Sequence, residues 1–194
     1  MTAAIAKAIW LGCVIGWYVI RFPHERRAKK AVVAKSDRDL GETILLAISL
    51  TGLGLIPIVY VATGFPRIAD RSFIPELAWI GLVPALASLW LFHRTHRELG
   101  RNWSVSLEVR DQHRLVTSGV YRYIRHPMYS AFFLWAVAQG LLLPNWVAGL
   151  SGLIGFGILF WFRVGREERL MLETFGEDYR AYMTRTARIV PWIY

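Results

Sequence analysis

The chain has a single cysteine, Cys13, so no internal disulfide staples it, and one thiol supports neither a zinc cluster nor a redox pair. Other catalytic signatures are missing as well. It carries no glycine-rich phosphate loop, no nucleophile elbow and no Rossmann fingerprint, and it has no strand-rich stretch to hold one. His93, His96 and Glu98 lack the two-histidine helix spacing with an intervening glutamate, so no metal site is expected. Acid is scarce: 14 Asp and Glu stand against 23 Lys and Arg, a formal charge of +9. Such an excess suits nucleic acid, but the basic residues fall in blocks between apolar runs, and no groove-reading helix or stacking module accompanies them. The blocks fit loops beside anionic headgroups, with no nucleic-acid partner. Internal repeats, low-complexity tracts and a second soluble domain are absent, which predicts one membrane domain over residues 1–194.

What is abundant is apolar surface. Of 194 residues 55% are hydrophobic, nine of them tryptophan, too greasy for a soluble domain of this size. The expected class is all-α, a polytopic membrane protein with five transmembrane helices over residues 3–20, 40–63, 76–92, 128–143 and 146–162. The first is expected to be a retained helix, because arginine and lysine follow it where a signal peptide would carry them before it. Ser36 or Asp37 is the expected cap of the second, which Pro57 is expected to kink. Only Pro144 and Asn145 separate the last two runs, so these form an antiparallel hairpin, both members short for a perpendicular span. Residues 93–127 read as short elements on the membrane face. Residues 166–185 read as an amphipathic helix broken at Gly176, with Leu170, Leu172, Phe175, Tyr179 and Tyr182 at helical spacing.

Basic residues orient the chain. With the N-terminus outside, one side receives seven Lys and Arg from residues 21–39, seven from 93–127 and six from 163–194, while the other keeps only Lys7, Arg67 and Arg71. This bias places the C-terminus in the cytoplasm, together with the polar regions 93–127 and 163–194. Two charged stretches, Arg125 to Tyr129 and Arg163 to Glu168, thereby fall on the cytoplasmic side at the open ends of one hairpin.

His126 and Pro127 mark a helix start, whose free backbone donors can hold a carboxylate or hydroxyl. Glu167 and Glu168 beside Arg163 and Arg166 place charge at a membrane interface, where it is often functional. Taken alone, both stretches also read as a helix start with interfacial tyrosines and a solvated helix face. Gln139, inside an apolar run, is expected to bond a neighbouring helix or to line a pocket.

The motifs Asn102-Trp103-Ser104, His113-Arg114-Leu115-Val116, Gly119-Val120-Tyr121, Arg125-His126-Pro127-Met128-Tyr129, Glu167-Glu168 and Phe175-Gly176-Glu177-Asp178-Tyr179 together resemble the isoprenylcysteine carboxyl methyltransferase family of integral membrane enzymes. The match covers the C-terminal half, and the five-span layout is similar to that of archaeal and bacterial members. The resemblance implies S-adenosylmethionine as cofactor, leaving as S-adenosylhomocysteine, in a cytoplasm-facing pocket. The implied contacts are His113, Arg114, Leu115, Val116, Tyr121, His126, Pro127, Met128, Tyr129 and Glu167, with Arg163 as the catalytic residue that meets the substrate. A cofactor-contacting glutamine of eukaryotic members aligns near Ser106, a departure.

The implied activity is methyl transfer to the carboxylate of a lipidic or isoprenylcysteine-like small molecule entering from the bilayer, the protein's other partners being membrane lipids. Methylation of a phospholipid amine, an NADPH-dependent membrane reductase and a non-enzymatic lipid-binding bundle are the other functions such a chain can serve.

Overall fold

The computed structural model describes residues 1–28, 33–36, 39–100, 108–110 and 115–193. Helices dominate: α1 (Ala3–Ala28), α2 (Leu40–Leu50), α3 (Ile56–Thr63), α4 (Pro75–Leu99), α5 (Pro127–Leu142), α6 (Trp146–Phe175) and α7 (Glu177–Arg185). A two-stranded antiparallel ribbon, β1 (Val33–Ser36) with β2 (Glu108–Arg110), adds to the all-helical class expected. Its strands are short segments with β-branched valines inside polar connectors, where no apolar helical stripe competes.

Among the described residues four helical segments are long and apolar enough to cross a membrane: Ala3–Arg26, Leu40–Thr63, Pro75–Leu99 and Trp146–Phe175. The helix at Pro127–Leu142 is shorter, with 16 residues, about 24 Å at 1.5 Å per residue. Of the five expected spans, then, four have crossing length and the fourth in order does not. The fifth, expected to be short, runs 30 residues without a break, about 45 Å against a hydrocarbon core of about 30 Å. It absorbs the first half of the amphipathic helix expected from residue 166, because no proline interrupts it and acidic partners meet its first arginines. Arg163 lies 3.5 Å from Glu42 and Arg166 3.0 Å from Asp39. The chain finally breaks at Gly176, as its φ of 54° allows, and α7 follows.

Two other boundaries also moved. Residues beyond 20 and beyond 92 stay helical, so α1 and α4 run past the apolar runs that nominated them, and His24 packs edge-on against buried His96 with ring centroids 5.0 Å apart. The α2 cap is Asp39, which accepts from the Glu42 amide at 2.6 Å, in place of Ser36 or Asp37. Before Pro57 the helix widens into a π-helical turn at Thr51–Leu55, which opens the ladder where the proline ring would meet the carbonyl four residues back.

Exposed apolar side chains cover the outside of the bundle, Trp79, Val83, Leu86, Trp90, Ile154 and Trp161 among them. Large aromatics fill the inside: Trp10 stacks on Trp135 at 5.7 Å, and Trp17 packs on Phe92 and Phe132. An outer surface this apolar is the mark of an integral membrane protein. Glycine lets the helices close up. A Cβ on Gly52 would strike the Ser151 carbonyl, and one on Gly155 would strike that of Ile48, so the π-helical turn and α2 lie directly on the α6 backbone. Gln139 bonds across this contact, its Nε2 donating to Ala148 O at 2.7 Å and Gly52 O at 3.2 Å.

The α5–α6 joint is the two-residue connection expected. Asn145 accepts from the Ala148 amide at 2.9 Å and donates to Pro66 O and Asp70 Oδ1 at 2.8 and 2.9 Å. Arg71 donates to the α5 carbonyl of Gly140 at 2.6 Å. This closed end holds the hairpin so that its open end brings His126 opposite Glu167.

Candidate active site

A glycine aims the approach to α5. Gly119 has φ 62°, and a Cβ there would overlap the Glu98 carboxylate, which accepts from the Val120 amide at 2.7 Å. This anchors the short turn Gly119–Arg122 to α4 and buries Tyr121, whose carbonyl accepts from the Tyr182 hydroxyl at 2.6 Å. Pro127 then begins α5, with His126 as its cap residue.

The C-terminal residues cross this turn as a strap. Arg125 N donates to Ala187 O at 2.8 Å, His126 N to Arg188 O at 3.0 Å, and Ala187 N back to Tyr123 O at 3.1 Å. Glu168 sits beneath it, accepting from Arg125 Nε at 3.0 Å and Arg188 Nη2 at 2.7 Å. Arg125 also donates to the carbonyls of Met183 and Thr186.

His126 lies between two carboxylates, with Nε2 3.3 Å from Glu168 Oε1 and Nδ1 3.7 Å from Glu167 Oε1. Burial opposes charge on the ring, but hydrogen bonds and attraction to Glu167 and Glu168 outweigh it and raise the pKa above its ordinary 6.5. Only the protonated ring donates from both nitrogens, which is what two facing carboxylates require. Tyr129 stacks on His126 at 5.4 Å and donates to Glu167 Oε2 at 2.5 Å. Burial pushes the phenols of Tyr121 and Tyr179 up, so both stay neutral hydroxyls.

Tyr121, His126, Tyr129, Glu167 and Tyr179 line one cavity of about 510 Å³. At its polar end are Leu115, Val116, Tyr121, His126, Pro127, Met128, Tyr129, Glu167, Arg163, Tyr179 and Tyr182. At its apolar end are Val14, Trp17, Leu50, Leu53, Phe132, Trp135, Phe156 and Leu159. Tyr129 belongs to both ends, with its hydroxyl on Glu167 and its ring against Phe156 and Phe160.

All the site residues expected from sequence that the structure describes thus share one cavity. His113 and Arg114 lie outside the described residues, as do Asn102, Trp103, Ser104 and Ser106. Sequence reasoning placed Arg125 and Glu168 in the two charged stretches without assigning them a role, and it missed Glu42 and Arg188. Glu42 carried a usable signal, an acid within an apolar run. Arg188 carried none, since only tertiary folding lays the tail over the His126 turn.

The model of the isoprenylcysteine carboxyl methyltransferase family matches residues 79–173. A probable protein-S-isoprenylcysteine O-methyltransferase of Oryza sativa subsp. indica is 29% identical over 131 residues, covering 66% of this chain and 67% of that one. Protein-S-isoprenylcysteine O-methyltransferase B of Arabidopsis thaliana is 32% identical, covering 65% and 68%. The human protein-S-isoprenylcysteine O-methyltransferase is 37% identical over 64% of this chain and 46% of its own length. Among solved structures, a eukaryotic intramembrane Ras methyltransferase of this name superposes with a TM-score of 0.53 at 25% identity, covering 81% of this chain and 54% of that one. The chain therefore spans about half the length of the human relative and of the solved structure.

Proposed function

Because this chain belongs to the isoprenylcysteine carboxyl methyltransferase family, we propose that it moves a methyl group from S-adenosylmethionine to the carboxylate of a lipidic or isoprenylcysteine-like substrate at the cytoplasmic membrane face. The observation that carries this is the single cavity whose charged end, His126, Glu167 and Arg163, continues into an apolar end among transmembrane helices. One end suits a polar donor and the other a lipid tail.

The donor set fits the cofactor. Glu167 offers a carboxylate for its ammonium, the first turn of α5 after His126 offers backbone donors for its carboxylate, and Tyr121 and Tyr129 offer ring faces for its adenine or sulfonium, with Pro127 and Met128 beside them. Leu115 and Val116, with His113 and Arg114 before them in sequence, complete the proposed set. When bound, S-adenosylmethionine supplies a methyl group on a positively charged sulfur.

The protein's own work is placement. Methyl transfer is an in-line displacement, so holding donor and acceptor at contact distance supplies much of the acceleration. A carboxylate acceptor is already ionised near neutral pH and needs no base, and the buried tyrosines, held as neutral hydroxyls, are not arranged to act as one. Arg163 orients that carboxylate with its planar fork. Glu42, 3.5 Å away and itself buried, shares the guanidinium charge, which keeps the arginine from gripping the nucleophile so tightly that it dulls.

The orientation proposed is N-terminus outside and C-terminus cytoplasmic, with α5 as the short fourth of five crossings in the plan of prokaryotic members. The polar end of α6 then opens to the cytoplasmic donor while the acceptor arrives between helices from the bilayer.

Purified protein with methyl-labelled donor tests this against a prenyl-cysteine analogue, a phospholipid amine and, separately, NADPH binding. Label recovered as a base-labile methyl ester on the prenyl-cysteine analogue is the expected result. Label on the amine alone, or tight NADPH binding without S-adenosylhomocysteine binding, overturns the proposal.

A further inference from the structure

Behind the His126 turn, on the far side of the strap, lies a second hollow of about 500 Å³ that methyl transfer does not use. Four arginines wall it, Arg122, Arg125, Arg185 and Arg188, and no acidic side chain is among the described residues that line it. Glu168, behind the wall, pairs with Arg125 and Arg188 and balances one of the four charges. Arg122 and Arg185 are exposed, with no acidic partner among the described residues.

The rim of this hollow is apolar. Trp192 is 90% exposed, Ile193 81% and Tyr123 52%, and the rings of Trp192 and Tyr123 lie 6.5 Å apart. Indole and aliphatic side chains this bare, beside the exposed guanidinium groups of Arg122 and Arg185, make little sense in water. Their depth gives the reason: Tyr123 comes four residues before α5 begins at Pro127, so the hollow sits within about a turn of the apolar belt, at headgroup level, where tryptophan and tyrosine anchor. Guanidinium forks bind phosphate oxygens in pairs. Arginine inside and aromatic carbon at the rim match a phosphate headgroup with its glycerol and upper acyl carbons.

We propose that this hollow binds the phosphate headgroup of an anionic membrane phospholipid, and that its occupation braces the strap over the His126 turn. The coupling is covalent and short. Arg185 and Arg188 flank Ala187, Arg122 precedes Tyr123, and the hydrogen bonds Ala187 N to Tyr123 O and Arg125 N to Ala187 O join the two walls. A headgroup that draws the arginines together therefore tightens the same backbone bonds that fix Arg125 and His126. The binding stands whether or not the methyl-transfer proposal does.

Full-length protein is purified in a neutral detergent, and its thermal midpoint and lipid retention by native mass spectrometry are followed as phosphatidylglycerol, phosphatidylcholine or inorganic phosphate is added. Phosphatidylglycerol is expected to remain bound and raise the midpoint, and phosphatidylcholine to do neither. The variant carrying Arg122→Ala and Arg185→Ala is expected to keep the lipid-free midpoint of the wild type and to lose about tenfold in phosphatidylglycerol affinity, while Arg122→Lys with Arg185→Lys recovers part of it. Equal stabilisation by both lipids, an unchanged affinity in the alanine variant, or equal stabilisation by inorganic phosphate or an acidic peptide overturns the proposal. Binding of S-adenosylhomocysteine, measured in the same preparations, reports separately on the cofactor site.

Discussion

Tyr129 donates to Glu167 across 2.5 Å, tying the first turn of α5 to the polar end of α6 at the place where the cavity changes from charged to apolar. The hydroxyl and the stacked His126 ring hold Glu167 from two sides. Tyr129→Phe removes one hydrogen bond to a charged group, worth about 1.5–3 kcal/mol. The expected result is a thermal midpoint lowered by several degrees, with weaker S-adenosylhomocysteine binding by calorimetry because Glu167 loses one of the two groups that hold it.

Arg163 faces Glu42, with side chains only 10% and 1% exposed. Arg163→Lys keeps the charge but loses the planar fork. Acceptor turnover is expected to fall by about 100-fold with S-adenosylhomocysteine affinity intact, the mark of a residue that meets the acceptor. Glu42→Ala removes a buried carboxylate that faces the buried Arg163 guanidinium and is expected to lower the thermal midpoint, by up to about 3–5 kcal/mol of stability.

His126 sets a pH dependence whose sign follows from its raised pKa. The folded state binds the proton more tightly than the unfolded chain does. Its contribution is therefore complete below the ordinary value of 6.5 and is lost as pH rises through the higher folded value. The thermal midpoint of the wild type should fall across that window, and His126→Ala should flatten this part of the profile. A wild-type midpoint that rises there contradicts a charged ring paired with both carboxylates.

Gly119 is needed for both its φ of 62° and its contact with Glu98. Gly119→Ala adds backbone strain of about 1–2 kcal/mol before any clash is counted. Weaker cofactor binding is expected to accompany the lower stability, because the same turn buries Tyr121. A tryptic digest should find the turn cut more readily.

At the opposite end of the hairpin, Asn145→Ala removes the α6 cap and two bonds to the connector before α4. Loss of a cap alone costs about 1 kcal/mol, and the unpaired Pro66 carbonyl adds to it. A lower midpoint with unchanged cofactor affinity per folded molecule is expected, since the closed end does not touch the cavity.

Apolar runs, proline and glycine placement, and the two-residue joint are local signals. From them alone the helical membrane class, the α5–α6 hairpin and the break at Gly176 were legible, because bilayer thickness and backbone sterics act on each segment separately; the site residues from Leu115 to Glu167 came instead from the resemblance of their motifs to a family. Helix ends were not. α1 and α4 outrun their apolar stretches because each packs on the other at His24 and His96, and α6 stays whole through Arg163 and Arg166 because Glu42 and Asp39 meet them from a distant helix. Glu168, Arg125 and Arg188 came together only in three dimensions, since a buried carboxylate tolerates its charge only where tertiary folding delivers the cations, and no spacing in the chain announces that the last residues will return across the His126 turn.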